Sequence, residues 1–197
     1  FFSKDIIEEA NKIKKNKPDI VKRKDLTNTL TFTIDPDDAK DFDDALSFKK
    51  LKNNNVEIGI HIADVTHYLE KNTLLDKEAK KRGTSVYLSD RVIPMLPEIL
   101  SNDLCSLNPN EDKNVFSVLI EFDEKHNIVN KQFSKCLIKS DERMSYQEAQ
   151  YVLDNKNGIL PSKITIGKKK RSLKENLVQA ILYLNRVALN LKEKKKK

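Results

Sequence analysis

Six carboxylates fall within ten residues of this chain: Asp35, Asp37, Asp38, Asp41, Asp43 and Asp44. Like charges this close repel; two unit charges about 4 Å apart near a protein surface interact by roughly 4 kcal/mol. A folded chain keeps such a cluster by spreading it into water or by binding cations. Woven through it are Ile34, Pro36, Ala39, Phe42, Ala45 and Leu46. These apolar residues argue against a simple solvated loop, because they pin the backbone to a core while some carboxylates converge. An EF-hand loop starting at Asp35 needs Gly at its sixth position and Glu at its twelfth. Lys40 and Leu46 stand there, which excludes it. Magnesium suits the pattern better, since it takes few protein carboxylates and fills its shell with waters and substrate phosphates. Two such ions roughly 3.5–4 Å apart hold the attacking and leaving oxygens of a phosphodiester. Spacing alone leaves three readings open: a catalytic metal site, a structural ion and a solvated loop.

The elements around the cluster must deliver it. A strand ends at Asp35, with Phe32 and Ile34 on one face and Thr31, Thr33 and Asp35 on the other. Pro36 stops its ladder, and the chain loops through the acids. A second strand runs over about 44–51. A turn at Asn53-Asn54-Asn55 leads to a third, Val56–Ala63, so the two form a hairpin. Upstream, residues 3–16 predict a helix capped by Ser3, with Ile6, Ile7, Ala10 and Ile13 as its stripe and Pro18 beyond its end. The basic patch Lys22-Arg23-Lys24 follows. Downstream, residues 73–82 predict a short helix and Thr84–Leu88 an extended segment. Arg91–Leu107 wraps the core with one helical turn near 97–101. Val115–Phe122 and Ile128–Ile138 predict another hairpin. Ser145–Glu148 is a capping box opening a helix to about Asp154, and residues 155–171 read as a loop. Ser172–Glu175 reads as a second capping box. It opens a long helix with Leu173, Leu177, Ala180, Ile181, Leu184, Ala188 and Leu191 on one side. The fold class is α+β, with a mainly antiparallel mixed sheet and flanking helices.

Outside the cluster the chain is basic. Its 197 residues carry 37 Lys and Arg against 30 Asp and Glu, a net charge of +7. Such a charge favours an anionic partner, and nucleic acid is the first candidate. A general richness in Lys, Asn and Ile explains the charge equally well. Cys105 and Cys136 show no CxxC pattern and read as reduced, buried thiols, which places the protein in the cytoplasm. No apolar run is long enough to span a membrane, and no signal-peptide pattern is present. The start at Phe1 without Met points to a fragment. No Ser/His/Asp or Cys/His nucleophile motif is found. His61, flanked by Ile58, Ile60 and Ile62, reads as structural, and Asp64 as a turn or capping residue. His67 and His126 read as surface residues. Arg82, Arg91 and Arg143 either touch phosphate or pair with acids. Lys168–Arg171 is a nonspecific phosphate patch or a solvated loop, and Lys194–Lys197 a solvated tail.

The residues then carry a resemblance. Thr33-Ile-Asp-Pro-Asp-Asp-Ala-Lys-Asp-Phe-Asp-Asp-Ala45 resembles the signature of the ribonuclease II/ribonuclease R family, whose catalytic unit is the RNB domain. The likeness continues in order through Gly59–Val65, Arg82–Leu88, Arg91–Pro97, Leu100–Pro109 and Glu142–Tyr146, closest to the ribonuclease R branch. It covers about residues 20–155. The resemblance implies a processive, Mg²⁺-dependent 3′→5′ exoribonuclease that hydrolyses single-stranded RNA to nucleoside 5′-monophosphates. Asp35, Asp41, Asp43 and Asp44 match the family's catalytic aspartates; Asp35, Asp41 and Asp44 would ligate Mg²⁺, and Asp43 would serve the chemistry. Asp37 and Asp38 would be supporting loop. Tyr87 matches a tyrosine that stacks on a base near the RNA 3′ end.

The same resemblance implies a monomeric full-length protein with no membrane contact and no small-molecule cofactor besides the metal. Residues 1–30 would be linker helix and lead-in from an upstream cold-shock domain, and 31–197 the N-terminal portion of the RNB domain. A full RNB domain is longer, and its second half supplies an arginine and a glutamate near the scissile phosphate. The alternative is therefore a truncated or inactive RNB module that binds RNA or a partner without cleavage. In either case apolar faces of the 56–63 strand or the 173–191 helix would be left uncovered.

Overall fold

Pro36 breaks one strand ladder, and the aspartates that follow it leave the sheet at its end. A computed structural model of the chain describes residues 2–15 and 23–196. Pro18, Lys22 of the basic patch, Lys197 and the last residue of the predicted first helix lie outside them. Helix α1 (Lys4–Lys15) precedes β1 (Lys24–Asp25), β2 (Leu30–Asp35), β3 (Asp44–Lys50) and β4 (Val56–Ala63). Helix α2 (Leu74–Arg82) follows, then the two-residue strands β5 (Val86–Tyr87) and β6 (Val92–Ile93). The wrap over 91–107 contains a π-helical turn, Ile99–Leu104. Next come β7 (Asp112–Phe122), β8 (Ile128–Lys139), β9 (Glu142–Ser145) and α3 (Tyr146–Asn155). A small ladder of β10 (Ile159–Leu160) and β11 (Arg171–Ser172) leads into α4 (Glu175–Lys194).

Seven strands form the main sheet in the order β1-β8-β7-β4-β3-β2-β9. Its ladders from β2 to β8 are antiparallel, as local hairpins require; β1 joins β8 and β9 joins β2 in parallel. This is the predicted α+β class. Period-2 alternation divides the apolar residues between two faces. Ala45, Ala63, Val115, Cys136 and Ile138 face α1 (Ile6, Ala10), α2 (Leu75, Ala79) and the wrap (Leu100, Leu107). Phe32, Phe48, Ile58, Phe122 and Met144 face α3 (Ala149, Val152) and α4 (Leu177, Ala180, Ile181). Fully burying one such side chain contributes roughly 1.5–3 kcal/mol. The second face is incompletely covered: Ile60, Ile62 and Leu191 are 38%, 50% and 39% exposed.

Glycine at 59 has a steric reason. A Cβ there would lie 2.3 Å from Ser47 Oγ and 2.5 Å from His61 Nε2. The His61 ring therefore lies over the backbone of its own strand, fully buried, with Nδ1 sharing a 2.8 Å hydrogen bond with Ser117 Oγ. It is a structural histidine, and burial holds its pKa down to about 4.

Two local expectations need correction. Ser172 does not cap α4: it belongs to β11, paired with Ile159, and the residue before the helix is Lys174, which makes no side-chain cap. The ladder to β10 claims the backbone that a capping box would use. For the same reason 155–171 is not simply a loop. The box at Ser145 is real, with both reciprocal hydrogen bonds to Glu148 in place.

Candidate active site

Asp35 is the last residue of β2 and Asp44 the first of β3, so adjacent antiparallel strands place both carboxylates at one end of the sheet. The loop 36–43 between them is tied down at several points. A turn closes from Ala39 N–H to Pro36 O at 3.1 Å. Phe42, buried, donates its N–H to Ser106 Oγ at 3.0 Å, and the same hydroxyl donates to Lys40 O at 2.8 Å. Leu107 N–H donates to Phe42 O and Ala63 N–H to Asp43 O, each at 2.9 Å. Arg143 reaches from β9 and donates to Asp37 O at 2.7 Å and Pro36 O at 3.3 Å.

The loop lines a cleft of about 440 Å³. Asp35, Asp38, Asp41, Asp43 and Asp44 border it, together with Tyr87. All four aspartates singled out from the sequence are therefore brought together. Asp38 joins them at the rim, whereas Asp37 is exposed and lies outside the lining. Tyr87, on the β5–β6 hairpin, is 63% exposed and donates its hydroxyl to Asp41 Oδ2 at 2.5 Å. That hydrogen bond, more than burial, pushes its phenol up to about 12. A smaller recess of about 240 Å³ shares Asp41 and Asp43 and continues past Ile62, Met95 and Cys105.

The electrostatics are those of crowded anions. Burial raises the Asp35 carboxyl above the usual carboxylate range, and the charge of Asp44 adds to the shift. Burial raises Asp43 as well, followed by the charges of Asp41 and Asp44. Asp35 Oδ2 is buried and makes no hydrogen bond of normal geometry among the described residues, although the Thr33 hydroxyl stands close enough to favour its charged form. The set is all oxygen, which suits a hard divalent cation such as Mg²⁺. Asp35, Asp41, Asp43 and Asp44 all border the cleft that would receive it. Among the described residues, however, no three acidic, His or Cys side chains stand in an arrangement that could by itself hold a metal ion.

Other candidates have different duties. Arg82 pairs with Glu78 at 2.8 Å and donates to Pro94 O; Arg91 pairs with Asp90 at 2.7 Å. Asp64 stands at the start of the 3-10 turn Val65–His67, as a turn residue should, and also pairs with Arg23 at 2.6 Å. Arg171 is not available as a phosphate patch, since it bridges Glu142 and the buried Glu148. His126 packs edge-on against Tyr183 and is half-buried. Cys105 and Cys136 are buried free thiols. Among the described residues no helix is long and apolar enough to cross a membrane. Sequence reasoning missed Ser106. Its block Leu100–Pro109 was visible, but nothing within a serine announces contacts to residues more than sixty positions away.

The fold and site together define an α+β domain with a carboxylate cleft at the strand ends of an antiparallel sheet. The RNB domain model matches residues 23–197, so the chain belongs to the RNB domain family. It is 47% identical over 154 residues to ribonuclease R 1 of Lactococcus lactis, covering 77% of this chain and 19% of that protein. To ribonuclease R of Thermotoga maritima it is 48% identical over 156 residues, 78% of this chain and 22% of that protein. A solved structure of Mycoplasma genitalium RNase R in complex with ribose-methylated single-stranded RNA matches with a TM-score of 0.70 at 36% identity. That match covers 80% of this chain and 25% of that one. The chain thus spans about a fifth of the length of the curated relatives it matches.

Proposed function

We propose that the protein is a divalent-metal-dependent 3′→5′ exoribonuclease that hydrolyses single-stranded RNA to nucleoside 5′-monophosphates, and that this chain is the N-terminal portion of its catalytic domain. The observation that carries the reading is the cleft itself, which Asp35, Asp41, Asp43 and Asp44 border together with Tyr87. The kinship with ribonuclease R proteins supports it. In this reading Asp35, Asp41 and Asp44 hold Mg²⁺, which when bound supplies charge neutralisation at the phosphate and acidifies the attacking water. Asp43, its carboxyl raised by burial, orients that water and takes its proton as oxygen attacks phosphorus and the 3′ oxygen leaves. The Tyr87 ring stacks on a base; stacking is blind to sequence and worth roughly 1–3 kcal/mol per base. The protein acts as a cytoplasmic monomer.

The test is degradation of 3′-extended poly(A) in Mg²⁺ by the full-length protein and by Asp43→Asn. Wild type shortens the RNA from its 3′ end, and the variant binds without cutting. Equal degradation by both removes Asp43 from the chemistry. A full-length wild type that binds but never cuts removes the enzyme reading.

A further inference from the structure

The aspartates do not hold their own spacing. Between Asp35 and Asp44 the loop has no strand pairing, and like charges along it favour spreading. We infer that Ser106 and Arg143, two residues outside the loop, are positioning residues that set the geometry of the aspartate cleft. This rests on the proposed reading of that cleft as a cation site.

Ser106 is fully buried, and its one hydroxyl serves both neighbours of Asp41: it accepts from Phe42 N–H at 3.0 Å and donates to Lys40 O at 2.8 Å. These bonds fix the backbone on either side of Asp41, so they fix where its carboxylate leaves the chain. Leu107 N–H then holds Phe42 O at 2.9 Å, which makes Ser106 and Leu107 a short backstop for the loop. Arg143 governs the other end. Its strand β9 runs beside β2 with Arg143 opposite Thr33, so the side chain arrives just where the chain leaves the ladder after Asp35. It donates to the carbonyls of Pro36 and Asp37, and its guanidinium lies 4.8 Å from the centre of the Phe42 ring. One side chain thus touches the loop before and after the turn. Both carbonyl bonds come from one guanidinium nitrogen, Nη2, so a lysine could make them but lacks the planar face that lies against the Phe42 ring. Neither residue lines the cleft.

The experiment compares the full-length wild type with Ser106→Ala, Arg143→Ala and Arg143→Lys. Mn²⁺ affinity is measured by calorimetry, kcat and KM on single-stranded poly(A), and folding by thermal melting, with all kinetics well below each melting temperature. Positioning predicts Mn²⁺ binding weakened by roughly tenfold and kcat reduced at least tenfold in Ser106→Ala and Arg143→Ala. KM should stay within about threefold, and Arg143→Lys should recover part of both losses. Wild-type kcat and Mn²⁺ affinity in the two alanine variants, or a lower melting temperature as their only change, overturn the inference. A raised KM at unchanged kcat also overturns it, because that marks direct RNA contact. The wild-type arm reports on the underlying reading: if wild type binds Mn²⁺ without cutting, exonuclease activity fails while the Mn²⁺ ratios still decide positioning. A wild type that neither binds Mn²⁺ nor cuts overturns both.

Discussion

The hydroxyl of Tyr87 donates to Asp41 Oδ2 at 2.5 Å, joining the β5–β6 hairpin to the acidic loop. Tyr87, Val92 and Ile93 are 63%, 48% and 44% exposed, so the hairpin presents these side chains to solvent. The ring and the hydroxyl therefore have separable roles. Tyr87→Phe keeps the stacking face, and its affinity for a single-stranded oligonucleotide, measured by fluorescence anisotropy in EDTA, should stay within about twofold of wild type. Tyr87→Ala should weaken that affinity by roughly 5- to 150-fold, the equivalent of about 1–3 kcal/mol of base stacking. Equal affinity of the Ala variant and wild type would remove Tyr87 from the RNA path.

Gly59→Ala tests the packing beneath the site. The added methyl meets Ser47 Oγ and His61 Nε2, both held in a fully packed layer of the sheet. Overpacking of this kind costs about 1–3 kcal/mol. In a chain of this size each kcal/mol lowers the melting temperature by roughly 2–4 °C. A calorimetric melt at unchanged temperature would mean that the His61 ring moves aside freely.

Much of this arrangement is legible in the sequence. The hairpins β3–β4 and β7–β8 announce themselves through alternation and turn residues, because their pairing is local. The strand-terminal place of Asp35 follows from Pro36, which cannot extend a ladder. The parallel additions of β1 to β8 and β9 to β2 are not legible, since they join segments about a hundred residues apart with no connecting turn to read. The failed capping box at Ser172 shows the same limit: a correct local pattern lost to a ladder with Ile159. Arg143 could be noticed as a basic residue near the acids. Its use of carbonyls rather than carboxylates depends on where β9 docks.

Arg171 pairs at 3.0 Å with Glu148, a fully buried carboxylate whose pKa is raised by burial. The same carboxylate also accepts from Ser145 N–H and Ile166 N–H, tying the capping box of α3 to the segment before β11. Breaking a buried pair by removing one partner costs about 3 kcal/mol or more, while replacing both with apolar residues costs much less. Arg171→Met should therefore lower unfolding free energy in urea by about 3 kcal/mol. The double variant Arg171→Met/Glu148→Met should be less destabilised than the sum of its parts. RNA affinity should not change in Arg171→Met; a loss there would return Arg171 to the phosphate patch.

His61 provides a pH signature of folding. The unfolded chain protonates this imidazole near its ordinary value of 6.5, whereas the folded chain keeps it neutral down to about 4. Above 6.5 both states are neutral, and the group adds no pH dependence. Between 6.5 and 4 the unfolded state binds more protons, so stability falls as pH drops through that window. The contribution lost approaches about 3 kcal/mol at its lower end. Urea midpoints for wild type and His61→Asn at pH 7, 5.5 and 4.5 isolate the term, because the carboxylates titrate in both proteins. Wild type should lose stability more steeply than His61→Asn between pH 6.5 and 4.5, even if the variant is weaker at pH 7. Parallel pH profiles would show that the ring takes up its proton in the folded state as readily as in the unfolded one, and that its burial between Ser117 and Gly59 does not hold it neutral.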